Sequence, residues 1–188
     1  LGRLKLATLN SVSLIAQQRK QWVLNLLLQK RIGAAFLQKN KLSTDKQVED
    51  MAHFVRKRYD CFTSKANAQS GGAAILIKKS RGITICPEWE NDLNGRVCAV
   101  EALYKGELHK LFLVYAPNEI AESKQFFSTL RKYLDTSCKI VLAGDFNCVL
   151  HVADSSKALR SDSSRVELAR YYGTSICKTL MNLLRAHA

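Results

Sequence analysis

Residues 96–104 and 107–115 are two strand-like runs separated by Lys105-Gly106 alone. So short a connection, with glycine in its second place, closes a β-hairpin, and the two runs must pair antiparallel. The chain on either side is built differently. Before the hairpin come a strand at 4–9, a helix at 17–31, a strand at 33–38 and a second helix. After it come a helix at 121–134 and an apolar run, Ile140 to Ala143, that reads as a short buried strand. Two more strands, 73–77 and 82–86, precede the hairpin, the second ended by Pro87. Alternating β and α units at both ends of a run of antiparallel strands imply two packed sheets with helices outside.

Local signals place the elements. In the first helix Trp22, Val23, Leu26 and Leu27 fall at helical spacing and are expected to face a sheet, with Arg19, Lys20, Lys30 and Arg31 on the other face or at the ends. Thr44-Asp45-Lys46-Gln47 has the form of a capping box opening the second helix, whose stripe is Val48, Met51, Val55 and Tyr59. Arg56-Lys57-Arg58 closes that helix, where cations suit the helix dipole as well as they suit nucleic acid. Ser70-Gly71-Gly72 marks a turn before the strand at 73–77. In the helix at 121–134, Phe126, Phe127, Leu130 and Leu134 point inward. A Ser- and Asp-rich loop is expected over 152–164, then a helical region over 166–185 interrupted at Gly173.

A length of 188 residues with 47% hydrophobic content suits one domain with a real core. The 29 Lys and Arg against 16 Asp and Glu give a formal charge of +13, a field attractive to polyanions. Nucleic acid is the first candidate partner, set against a basic balance that serves solubility alone. The six cysteines, Cys61, Cys86, Cys98, Cys138, Cys148 and Cys177, contain no Cys-x-x-Cys and no companion His spacing, which argues against zinc. Several lie in apolar runs, as buried free thiols of a reducing compartment would, so an intracellular place, nuclear or cytoplasmic, is expected. No signal peptide or membrane-length apolar run is present, so no membrane partner is expected. The chain opens on Leu1, which suggests a part of a longer product.

Strand C-termini are where open α/β sheets place their chemistry. Four such ends carry polar groups: Asn10, Lys39, Tyr115 with Asn118, and Asp145 with Asn147. A carboxylate such as Asp145 can act as a base or help hold a cation, and the amide of Asn147 can donate to a phosphate oxygen. A Gly-Asp pair ending a strand is by itself a common turn. Together the four ends supply what phosphate cleavage needs, namely donors for phosphoryl oxygens, a base for water and a place for a cation.

The residues that carry these groups lie in Leu6-Ala7-Thr8-Leu9-Asn10, Phe36-Leu37-Gln38, the Gly71–Ile77 stretch, Val114-Tyr115-Ala116-Pro117-Asn118 and Gly144-Asp145-Phe146-Asn147-Cys148-Val149-Leu150. In this order and spacing they resemble the endonuclease/exonuclease/phosphatase superfamily, and within it the endonuclease domain of non-LTR retrotransposons. The resemblance spans nearly the whole chain and rests most on Tyr-Ala-Pro-Asn followed about thirty residues later by Gly-Asp-Phe-Asn. It implies an α/β (α+β) four-layer sandwich, two mainly antiparallel sheets with helices outside, over residues 1–188 as a single domain. It also implies a phosphodiesterase dependent on Mg²⁺ (or Mn²⁺) that nicks DNA. By the same resemblance Tyr115, Asp145 and Asn147 are catalytic: Tyr115 contacts the phosphate, Asp145 activates or positions water, and Asn147 bonds a phosphoryl oxygen. Asn10, Asn118 and Lys39 fall at phosphate or nucleic-acid positions, and Asn10 contributes to the metal environment.

The chain departs from that pattern twice. The family places a glutamate, its principal metal ligand, directly after Leu-Gln, where this chain has Lys39. A charged ammonium has no lone pair for Mg²⁺, a hard cation that takes oxygen, and it repels the ion. The family also ends on Ser-Asp-His. None of His53, His109, His151 and His187 follows Ser-Asp, and Ser161-Asp162 runs into Ser163. The domain is therefore expected to be C-terminally truncated, its last strands missing and one sheet edge exposed or awaiting a partner segment such as the remainder of a polyprotein. The implied activity is then impaired or absent. The alternatives are a non-catalytic nucleic-acid-binding module, a decayed copy, or a protein-interaction fragment using the open edge.

Overall fold

The computed structural model describes residues 4–67, 71–79, 82–92, 94–134 and 138–147. The loop expected at 152–164, the helix at 166–185 and residues Ser70, Cys148 and Cys177 lie outside these. In chain order the elements are β1 (Leu6–Asn10), α1 (Gln17–Gln29), β2 (Ala34–Gln38), α2 (Asp45–Val55), β3 (Tyr59–Ser64) and β4 (Ala73–Lys78). They continue as β5 (Ile83–Asp92), β6 (Val97–Tyr104), β7 (Glu107–Tyr115), α3 (Ile120–Tyr133) and β8 (Lys139–Asp145). The strands form two four-stranded sheets, ordered β1-β2-β4-β3 and β5-β6-β7-β8. In the first, β1 and β2 are parallel, joined through α1, and the other pairs antiparallel. In the second, β5, β6 and β7 pair antiparallel in sequence. This is an α+β fold of two sheets with helices, as the sequence implies.

The chain divides into two compact units, Leu1–Tyr115 with Ile140–Asp145, and Ala116–Lys139 with Phe146–Ala188. In the first, the strand period of two sorts β2 and β4 of the first sheet between two cores. Ala35, Leu37, Ala74 and Leu76 join Val23 and Leu27 of α1 and Met51 and Val55 of α2. Their neighbours Ala34, Phe36, Ala73, Ile75 and Ile77 join Cys98, Val100, Leu111 and Leu113 of the second sheet, with Val141 and Ala143 of β8 against them. Burial on both faces is why β2 and β4 read as unbroken apolar runs rather than as alternation. In the second unit, α3 buries Phe126, Phe127 and Leu130, with Leu134 at its C-cap, as its stripe requires, and the two phenyl rings meet edge to face at 5.4 Å.

Four local expectations are corrected. Trp22 does not face a sheet: it is 49% exposed, and the packed face of α1 is Val23, Leu24, Leu27 and Leu28. Tyr59 does not end the α2 stripe but begins β3, a strand not anticipated, and its buried hydroxyl donates to the Ile32 carbonyl at 3.0 Å. Pro87 does not end its strand. β5 runs on to Asp92 because the register shifts between Ile85 and Trp89, and a bulge on a strand at the sheet's end needs no donor from proline. The last described strand, β8, reaches Asp145 rather than Ala143.

The hairpin and capping box form as expected. Lys105 and Gly106 both take positive φ, 54° and 81°, as a two-residue turn matched to strand twist demands. The Thr44 hydroxyl accepts from the Gln47 backbone and the Gln47 side chain accepts from the Thr44 backbone. Among the described cysteines, none of them in a disulfide, Cys98 is fully buried and Cys61, Cys86 and Cys138 are half-buried. Loss of water pushes the Cys98 thiol strongly upward, and burial pushes Cys61 up to about 11 against the bond to Thr63 that lowers it.

Candidate functional site

The first unit brings Lys39, Tyr115 and Asp145 together. β2 stops at Gln38, and Lys39 turns the chain with φ at +55°, lifting its side chain out of the sheet alternation. Glycines make room for that turn. A Cβ on Gly71 would come within 3.0 Å of the Lys39 Cα, and one on Gly72, itself at φ +74°, would overlap the Asn40 side-chain oxygen. The Lys41 N–H donates to the Gly71 carbonyl at 2.7 Å, so the Gly-Gly pair clasps the 39–41 backbone.

Lys39 Nζ lies 3.7 Å from Asp145 Oδ2, the two side chains being 33% and 31% exposed. The same ammonium stands 5.2 Å from the centre of the Tyr115 ring. A second cation, the Arg96 guanidinium, stands 5.7 Å from that ring, and the Tyr115 N–H donates to the Arg96 carbonyl at 2.7 Å. Tyr115 itself is only 8% exposed. Two cations and one carboxylate thus gather around a buried phenol. An ion pair this exposed contributes about 0–1 kcal/mol, so it orients Lys39 without locking it.

Asn10 ends β1 directly opposite Gln38. Its Oδ1 accepts from the Val12 N–H at 3.2 Å. The ends of β1 and β2 are riveted by Ser11, whose N–H and hydroxyl both donate to the Gln38 carbonyl, at 2.9 and 2.8 Å. Asn118 and Asn147 belong to the second unit. Asn118 is exposed, and Asn147, also exposed, lies beyond β8 with φ +46° and donates from Nδ2 to the Ala116 carbonyl at 2.5 Å. Strand alternation therefore does not relate Asn147 to Asp145.

Two residues of this region were not singled out from sequence. Arg96 could have been found, because counting outward from a two-residue turn puts it opposite Tyr115. Asn40 could not: it is wholly buried, its Oδ1 accepts from the Leu42 N–H at 2.9 Å, and its Nδ2 has no hydrogen-bond partner among the described residues. An orphaned amide costs about 1–3 kcal/mol, an expense the Lys39 turn carries.

The donor set does not fit a divalent cation at Lys39. An ammonium faces the Asp145 carboxylate, and the described residues contain no group of three or more His, Cys, Asp or Glu side chains able to hold a metal. Among the described residues no helix is long and apolar enough to cross a membrane.

No protein family model and no curated protein matches the chain. Solved structures do. The AP endonuclease LMAP from Leishmania major superposes with a TM-score of 0.71 at 16% identity, over 95% of this chain and 65% of that one. TDP2 of D. rerio in complex with a single-strand DNA product gives 0.56 at 18% identity, over 86% and 64%. An endonuclease/exonuclease/phosphatase family protein from Bacteroides thetaiotaomicron gives 0.57 at 16% identity, over 78% and 62%. The chain thus spans less than two thirds of the length of each of these three proteins. What it shares with them is the endonuclease/exonuclease/phosphatase fold.

Proposed function

We propose that this chain is a nucleic-acid-binding domain on the endonuclease/exonuclease/phosphatase fold, of retrotransposon endonuclease type, in which Lys39 stands in for the metal and phosphodiester hydrolysis is impaired. The observation that carries it is the 3.7 Å approach of the Lys39 ammonium to the Asp145 carboxylate. A glutamate with its Mg²⁺ carries about the same net charge as one lysine, roughly +1, so attraction for phosphate survives the exchange. Chemistry does not. An ammonium neither lowers the pKa of a bound water nor bridges phosphoryl oxygens, and losing a Lewis acid removes several kcal/mol, each ~1.4 kcal/mol being about tenfold in rate. Within the first unit, Lys39 and Arg96 then supply positive charge beside Tyr115, Asn10 supplies a polar contact, and Asp145 orients Lys39 in place of a water. Mg²⁺ or Mn²⁺ is not required for binding. DNA is the favoured partner, supported by the net charge of +13 and by neighbours that include an AP endonuclease and a DNA-bound TDP2.

The test pairs binding with cleavage. Labelled DNA binds at low salt equally with and without EDTA, Lys39→Glu weakens that binding about tenfold, and excess protein with Mg²⁺ leaves supercoiled plasmid intact. Mg²⁺-dependent nicking by the wild-type chain, abolished in Asp145→Ala, would overturn the reading, as would binding lost on chelation.

A further inference from the structure

The segment joining β1 to α1 exposes apolar surface beside the Asn10 strand end. Val12 is 57% exposed and Ile15 50%, and Trp22, within α1 itself, is 49% exposed. Val12 holds φ at +61°, a left-handed conformation that a β-branched residue takes at a cost, and the Asn10 side chain accepts its N–H. A backbone outlier of this kind points toward a use.

Arg19 supplies the connection. Its Nε donates to the Ser11 carbonyl at 3.1 Å, and its guanidinium lies 4.8 Å from the centre of the Trp22 ring. The same Ser11 is bonded to the Gln38 carbonyl, one residue before Lys39. The indole is thereby tied to the Lys39 turn through a chain of three contacts, with a cation over its ring and Lys20 next in sequence. A half-exposed indole carrying a guanidinium is a flat, positively charged surface, which is what an unstacked base on a polyanionic backbone requires.

We propose that Trp22 with Arg19 is a base-stacking platform for an unpaired strand of nucleic acid. This rests on the nucleic-acid reading above and assigns single-stranded bases, rather than duplex backbone, to this surface. The occupant is chosen by charge complementarity: an apolar protein partner would gain nothing from the guanidinium, and a chain of net charge +13 repels a second copy.

The test uses the full chain and two variants, Trp22→Ala and Trp22→Phe, with labelled oligo(dT) and the same sugar–phosphate strand lacking bases, at low salt. Oligo(dT) quenches tryptophan emission in the wild type, the base-free strand does not, and Trp22→Phe loses the quenching while keeping most of the affinity. Trp22→Ala weakens oligo(dT) binding by about 5- to 100-fold and changes base-free binding by less than about twofold. The emission signal decides the matter even if Trp22→Ala is unstable. Wild-type affinity for oligo(dT) in folded Trp22→Ala, without quenching, overturns the platform and leaves the nucleic-acid reading standing. Binding of neither strand by the wild type overturns both. Loss of self-association in Trp22→Ala, with oligo(dT) affinity unchanged, assigns the patch to a second copy and overturns the proposal.

Discussion

Gly144 is held by its neighbour's backbone. A Cβ there would overlap the carbonyl oxygen of Val114, and the residue sits at φ +145°, so neither space nor conformation admits a side chain. Gly144→Ala is expected to lower stability by about 2–4 kcal/mol, seen as a shifted urea midpoint with unchanged m-value. The reason for this glycine was not legible in the sequence, where Gly-Asp reads as a turn, because a close approach of two backbones leaves no local signature. Lys39 was legible, since its residue type decides whether an oxygen ligand exists at all. Its contact with Tyr115 and its left-handed backbone were not, being set by glycines more than thirty residues away.

Elements with strong local chemistry were readable, and those settled by tertiary pairing were not. The capping box at Thr44 needs only four consecutive residues, and it forms. Thr44→Ala should cost about 0.5–2 kcal/mol, measurable by thermal unfolding, and Thr44→Ser should recover most of it. The hairpin needs only its turn, and its pairing from Tyr104 with Glu107 to Val97 with Val114 follows from the turn length. β5 was cut short at Pro87 because a bulge can be known only from the partner strand. The face of α1 was misjudged by about one residue: Trp22 is apolar and at the right spacing, but Leu24 and Leu28 fill the same core with aliphatic volume and leave the indole outside.

At the scale of the whole molecule, charge dominates. With a net charge of +13, binding to nucleic acid should weaken steeply with salt, log K falling linearly with log[salt] at a slope of about −0.7 per phosphate contacted for a single strand and about −0.9 for duplex DNA. A titration with oligo(dT) and with duplex gives both slopes, and a flat response to salt would contradict a phosphate-driven mode. The shared fold was legible because motifs from β1 to β8 recur in one order, while residues 148–188 fall outside the described part and carry the expected loop and helix with them. The Lys39–Asp145 pair adds a condition on how any polyanion is received. The protein arrives with a counterion of its own already seated, so a phosphate at Lys39 enters by exchange, and its gain is the difference between two ion pairs rather than the worth of a new one. Because the pair is partly exposed and contributes only about 0–1 kcal/mol, that exchange trims the gain at Lys39 without forbidding it.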